Sequence, residues 1–170
     1  MTSQKLLILR GNSGSGKSTV AEHLRKILNG KVALIGQDTL RRTILMEKDS
    51  LENKDIIGLL RQTVIYCLDK GYTVIVEGIL SKPKYKEVLV ELMDYASCES
   101  YVFYLDVSIE ETVRRHTTKP IAPEVTEEKL RSWYQAKNYL DVPGEVIIDE
   151  NSTLEKTVLT IQKTLKGLNR

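Results

Sequence analysis

Cysteine, histidine, tryptophan and phenylalanine are scarce in this chain of 170 residues, which holds two, two, one and one of them. Two cysteines, Cys67 and Cys98, cannot build a disulfide framework. Cys67 sits in the apolar run VIYCL at residues 64–68, which predicts a buried thiol. Two histidines, His23 and His116, beside so few thiols exclude the usual zinc site. Long apolar runs are missing too. None approaches the roughly 20 residues of a membrane span. The run LLIL at residues 6–9, ended by Arg10, is too short for the core of a secretory leader, so the expected location is the cytoplasm. Strong charge of one sign is also absent, since 25 Lys and Arg against 23 Asp and Glu leave +2. That balance demands neither nucleic acid nor a membrane surface as partner, although it is compatible with a local basic patch.

What remains is an ordinary globular composition, 41% apolar and 28% charged, which excludes disordered, collagen-like and coiled-coil chains. The length suits one domain over residues 1–170. Short apolar runs alternate with amphipathic segments. Residues 5–10 (KLLILR), 31–35, 72–77 (YTVIVE), 101–106 and 145–148 read as strands, and the first is continuously apolar, as in a parallel sheet covered on both faces. Residues 17–29, 39–47, 54–70, 82–95, 109–116, 127–139 and 154–168 read as helices, with Gly30 and Gly71 as stops and Ser108 and Thr126 as caps. Residues 117–125 break the pattern with two prolines and no apolar period. They predict a flap over a site, within a lid of about residues 114–131. The expectation is an α/β fold in three layers, with a five-stranded, mainly parallel sheet flanked by helices.

The chemistry starts at Gly11-Asn12-Ser13-Gly14-Ser15-Gly16-Lys17-Ser18, which fits G-x-x-x-x-G-K-[ST] at every fixed position. It follows a predicted strand and opens a predicted helix, the context this motif requires. Glycines let backbone N–H groups curl around phosphates, and the helix N-terminus adds positive potential. Lys17 supplies a mobile charge for the outer phosphates, and the Ser18 hydroxyl can ligate Mg²⁺. Residues Gly11 to Thr19 are the candidate nucleotide-binding set.

The motif does not separate kinases from other nucleotide hydrolases, so the strand ends must decide. Asp38 lies just past the second strand and reads as a base for an attacking hydroxyl, or as the cap of the next helix. Arg41 stands one turn on and could hold an anionic acceptor group. Glu77, after the apolar run VIV, reads as a Mg²⁺-shell or substrate contact, and Gly78 as a close backbone approach. Asp106 reads as structural. Arg115 and Lys119 are the candidate cations that close over the phosphates, with Arg114 and Arg131 in reserve. His116 is expected to pack in the lid. Trp133 is expected to anchor the helix after the lid, with stacking on a base or sugar as the other reading.

Together these residues resemble the AAA-type and zeta-toxin-like small P-loop kinases that phosphorylate hydroxyl groups. The likeness is strongest to the 5′-kinase domain of phage polynucleotide kinase, through the loop at Gly11–Ser18, the Asp38 and Arg41 spacing, the segment Leu130-Arg131-Ser132-Trp133-Tyr134 and the pair Tyr139-Leu140. Glu77-Gly78 resembles the strand-end Glu-Gly of zeta toxins, where it serves substrate binding. Lys119 stands near where the phage enzyme has an arginine, and no phosphatase domain is expected. The resemblance implies ATP as donor, Mg²⁺ as cofactor and a hydroxyl acceptor: a polynucleotide 5′ end, a nucleoside or another small molecule. The other class left open is a nucleotide-dependent switch or hydrolase that regulates a partner.

Overall fold

The computed structural model describes residues 4–48, 50–52, 54–95, 99–117 and 126–167. Five strands, β1 (Lys5–Gly11), β2 (Val32–Gly36), β3 (Thr73–Gly78), β4 (Glu99–Asp106) and β5 (Val146–Asp149), form one sheet in the order β2-β3-β1-β4-β5. Every pairing is parallel, so the sheet is parallel throughout. β1 lies in the middle. It pairs Ile8 with Val76 on one side and with Val102 on the other.

The continuous apolar strands need cover on both faces, and helices supply it. On one face Leu6, Ile8, Val74 and Val76 pack against α2 (Asp55–Asp69) and α3 (Lys82–Asp94). On the other, Leu7, Leu9, Ile75 and Phe103 pack against α1 (Lys17–Ile27) and α6 (Leu154–Leu165). The result is three layers with two cores. α4 (Ile109–Thr117) and α5 (Glu127–Trp133) stand beyond the end of β4. Among the described residues, no helix is long and apolar enough to cross a membrane.

Parallel strands share one C-terminal edge, which is where α/β sheets bind ligands. The register places Arg10 beside Gly78, Gly36 beside Glu77, Gly11 beside Leu105 and Asp106 beside Asp149. The chain passes from β1 to β2 on one flank and later from β3 to β4 on the other. β1 therefore sits where the winding reverses, and the glycine-rich loop leaves from its end.

Two helical expectations change. Residues 39–47 do not form an α-helix. A π-helical turn, Thr39–Ile44, stands there, with Leu45 N donating to Leu40 O at 3.0 Å. The cause is Arg41: its Nη1 donates to Glu47 O at 2.9 Å, and the chain wraps round the guanidinium instead of continuing the ladder. The helix expected over 127–139 ends at Trp133. Gln135 has given both backbone groups to the side chain of Asn12, so they cannot extend a helix. Cys67 is half-buried rather than buried, and burial still pushes its thiol up.

Candidate active site

Gly11 and Gly16 make the loop possible. Gly11 has φ +150°, and a Cβ there would stand 2.7 Å from Leu105 O. Gly16 has φ +98°, left-handed, and lets the loop turn into α1, whose start has no side-chain cap. Lys17 is 7% exposed, with its ammonium turned back onto the loop. Its Nζ donates to Asn12 O at 2.8 Å and to Ser15 Oγ at 3.4 Å.

The strand ends bring the acids to this loop. Ser18 Oγ donates to Glu77 Oε2 at 3.2 Å, linking the first turn of α1 to the end of β3. Burial pushes the Glu77 carboxyl above its ordinary value. Lys17 and the Ser18 hydroxyl oppose that, and Asp38 adds to it. An oxygen pair of hydroxyl and carboxylate suits a hard cation that keeps most of its own waters. No cluster of three His, Cys, Asp or Glu side chains that could hold a metal occurs among the described residues.

Asp38 follows β2. Its side chain makes no capping bond to the turn that it precedes. Arg41 Nη2 donates to Asp38 Oδ1 at 2.9 Å, and Arg42 Nε lies 3.6 Å from the same oxygen. Arg41 is 7% exposed, and its Nε has no hydrogen-bond partner. Asp38, Arg41, Ser13, Tyr85 and Trp133 line a cavity of about 630 Å³. Trp133 does not anchor its helix as expected: it is 43% exposed on this cavity's wall, and Leu130 is the buried residue of α5. Gly78 does not face open space either. A Cβ there would stand 2.7 Å from Gln37 Cβ, so its close approach serves packing within the protein.

A second cavity, about 260 Å³, lies beside Ser15, Gly16, Thr19 and Arg115. Arg115 reaches it from α4: Nη1 donates to Ser15 O at 3.4 Å, and Nη2 to Glu150 O at 3.1 Å. Glu111 holds Arg115 Nε at 2.6 Å and also pairs with Arg114. Those two guanidiniums drive the Glu111 carboxyl down to about 2. Arg131 is exposed and paired with Glu127. Lys119 and the flap at 118–125 lie outside the described residues, as does the His116 side chain. Asp106 is structural, as expected, accepting a 2.6 Å bond from Tyr139 OH.

Sequence reading missed Arg10, and it placed Asn12 in the nucleotide-binding loop without its contact to Gln135. Arg10, read only as the end of an apolar run, is 0% exposed. It donates to Leu80 O, to Asn138 O and Oδ1, and to Glu145 Oε1. Asn12 holds Gln135 through two 2.9 Å bonds, Nδ2 to O and N to Oδ1. The only available signal was a cation at a strand end, which sequence reading expects in solvent.

Solved structures share this architecture. APS kinase CysC of Mycobacterium tuberculosis, in complex with AMPPNP and APS, is 19% identical at a TM-score of 0.72, with 96% of this chain and 98% of that one covered. A gluconokinase from Sinorhizobium meliloti 1021 is 16% identical at 0.71, with 99% and 95% covered. A chain of the Pnkp1/Rnl/Hen1 RNA repair complex is 21% identical at 0.55, with 98% of this chain and 47% of that one covered. At these identities the likeness is one of fold. A model of the family described as AAA domain matches residues 6–143, from the first buried position of β1 through the glycine-rich loop, the strand-end acids and the segment that Asn12 holds. The chain belongs to the AAA domain family.

Proposed function

We propose that this protein is a kinase that moves the γ-phosphate of ATP, with Mg²⁺, to a hydroxyl acceptor. The observation that carries the reading is the loop between two cavities, with Asp38 on the far one. A carboxylate held by Arg41 and not used as a cap is available to take a proton.

Gly11, Asn12, Ser13, Gly14, Ser15, Gly16 and Thr19 form the cradle for the donor. The loop fits phosphate, since a Cβ at Gly16 would meet nothing within 4 Å and no side chain caps the start of α1, a helix terminus that favours an anion. Lys17 exchanges a loop carbonyl for the outer phosphate oxygens. Ser18 and Glu77 would hold Mg²⁺, which neutralises charge on the transferring group when bound. Asp38 accepts the proton of the attacking hydroxyl. Arg41, on the wall of the larger cavity, holds Asp38 in place and orients the acceptor. Arg115 and Lys119 supply positive charge over the phosphates, within a lid of about residues 114–131. Catalysis then rests on alignment and charge stabilisation.

The kinases among the structural neighbours support this reading, and the RNA repair complex keeps a polynucleotide 5′ end among the acceptors to test. No helix described spans a membrane, which fits the proposed cytoplasmic setting. The test is transfer of labelled γ-phosphate to a 5′-hydroxyl oligonucleotide, then to nucleosides and sugars. Label in one acceptor, lost in Asp38→Ala, supports the reading. Label found only as free phosphate, whatever the acceptor, rejects it in favour of a hydrolase or switch.

A further inference from the structure

The glycine-rich loop and the wall of the larger cavity are far apart in sequence but share one side chain. Asn12 bonds both backbone groups of Gln135, each at 2.9 Å, and its Nδ2 lies 3.4 Å from Tyr104 OH. A primary amide carries a donor and an acceptor side by side, so it can pair with a peptide N–H and C=O together. Asn12 is 3% exposed, so neither bond competes with bulk water. The backbone of the same residue serves the loop, where Asn12 O accepts from Lys17 Nζ at 2.8 Å and from Ser15 N at 3.2 Å. One residue thus touches the donor-side lysine through its carbonyl and the acceptor-side wall through its amide.

The held segment has a second tie to β1. Arg10, two residues before Asn12, donates to Asn138 O and Oδ1. Tyr104 supports it from β4 through an edge-to-face contact with Tyr139 at 5.1 Å. Two residues before Gln135 in the chain stands Trp133, the sole tryptophan, on the larger cavity and not on the one beside Ser15 and Gly16.

We propose that Asn12 is a positioning residue that couples the nucleotide loop to the acceptor wall, setting Gln135 and Trp133 according to what the loop binds. The proposal rests on the kinase reading, because phosphate at the loop is what draws Lys17 away from Asn12 O. Release of that bond leaves Ser15 N as the donor to Asn12 O, and the amide carries the resulting shift of the Asn12 peptide to Gln135.

Trp133 is a built-in reporter of this coupling. The experiment titrates the full chain with MgATP, following tryptophan emission and, separately, binding heat. Emission of the parent chain is expected to change with the same midpoint as the heat. Asn12→Asp keeps the shape but puts a carboxylate oxygen against Gln135 O. Gln135→Pro removes the N–H from the other side and leaves the loop sequence intact. Each variant, at its own saturation, is expected to lose at least half of the emission change. Binding heat without an emission change in the parent chain overturns the coupling while the kinase reading stands. So does an undiminished change in a saturated variant. No binding heat in the parent chain overturns the kinase reading and the coupling with it.

Discussion

Arg41 and Asp38 form a 2.9 Å ion pair in which the arginine is buried and the aspartate half open to the larger cavity. The arrangement is lopsided. Arg41 spends Nη1 on Glu47 O and Nη2 on Asp38, and keeps Nε unbonded. Asp38 is fixed in direction while one face stays accessible, which the proposed role as base requires.

Replacing Arg41 with Lys keeps the charge and removes the fork. A charge-assisted hydrogen bond contributes about 1.5–3 kcal/mol, so acceptor KM is expected to rise by about ten- to a hundredfold. Steady-state kinetics with the acceptor that takes label checks this. Nucleotide KM should move far less.

Lys17→Ala removes the charge that the loop holds against Asn12 O. Transfer should fall by at least about 100-fold, because no other loop side chain supplies a cation for the outer phosphates. Single-turnover assays at saturating MgATP give the number. Retained turnover would reject the loop as the donor site.

Arg10 and Glu145 are a buried pair, with side chains 0% and 6% exposed, bridging β1 to the segment before β5. Burial lowers the Arg10 pKa, while Glu145 counters this. Glu145→Gln leaves a buried guanidinium without its counter-charge and should cost about 3 kcal/mol or more in urea unfolding. The parent chain therefore needs a clearly higher urea midpoint than the variant.

Tyr139 donates to Asp106, and that bond, with burial and the Asp106 charge, pushes its phenol up to about 12 from 10.0. A raised acid keeps its proton when folded, so the unfolded chain loses protons first as pH rises. The stabilisation is fully present below pH 10 and is lost as pH rises from there toward about 12. Tyr139→Phe should be less stable by about 1 kcal/mol at neutral pH, discounted for the partly exposed phenol. The gap to the parent should close in strongly alkaline solution, which unfolding curves at stepped pH would record.

Much of this was legible in the sequence, for physical reasons. β1, the glycine-rich loop and α1 are local: an apolar run, a spacing of glycines and a helical period each leave a mark on neighbouring residues. The strand-end positions of Asp38, Glu77 and Asp106 followed from the same alternation. What escaped depends on partners far along the chain. Asn12 meets Gln135 across 123 positions, and this contact, invisible to periodicity, ends α5 at Trp133. Arg41 turned an expected α-helix into a π-helical turn by bonding Glu47 O. Arg10 reads as a surface cation until Asn138, Leu80 and Glu145 are seen around it.

The most direct measurement compares the parent chain with Asp38→Asn in transfer of labelled γ-phosphate to a panel of hydroxyl acceptors, at saturating MgATP. The substitution keeps the shape of the carboxylate and removes its basicity. The account expects label in at least one acceptor for the parent chain and about 10²–10⁴-fold slower transfer in the variant, with MgATP still bound. Equal transfer by both chains would contradict Asp38 as the base. Label released only as free phosphate, at a rate indifferent to Asp38, would contradict the kinase itself.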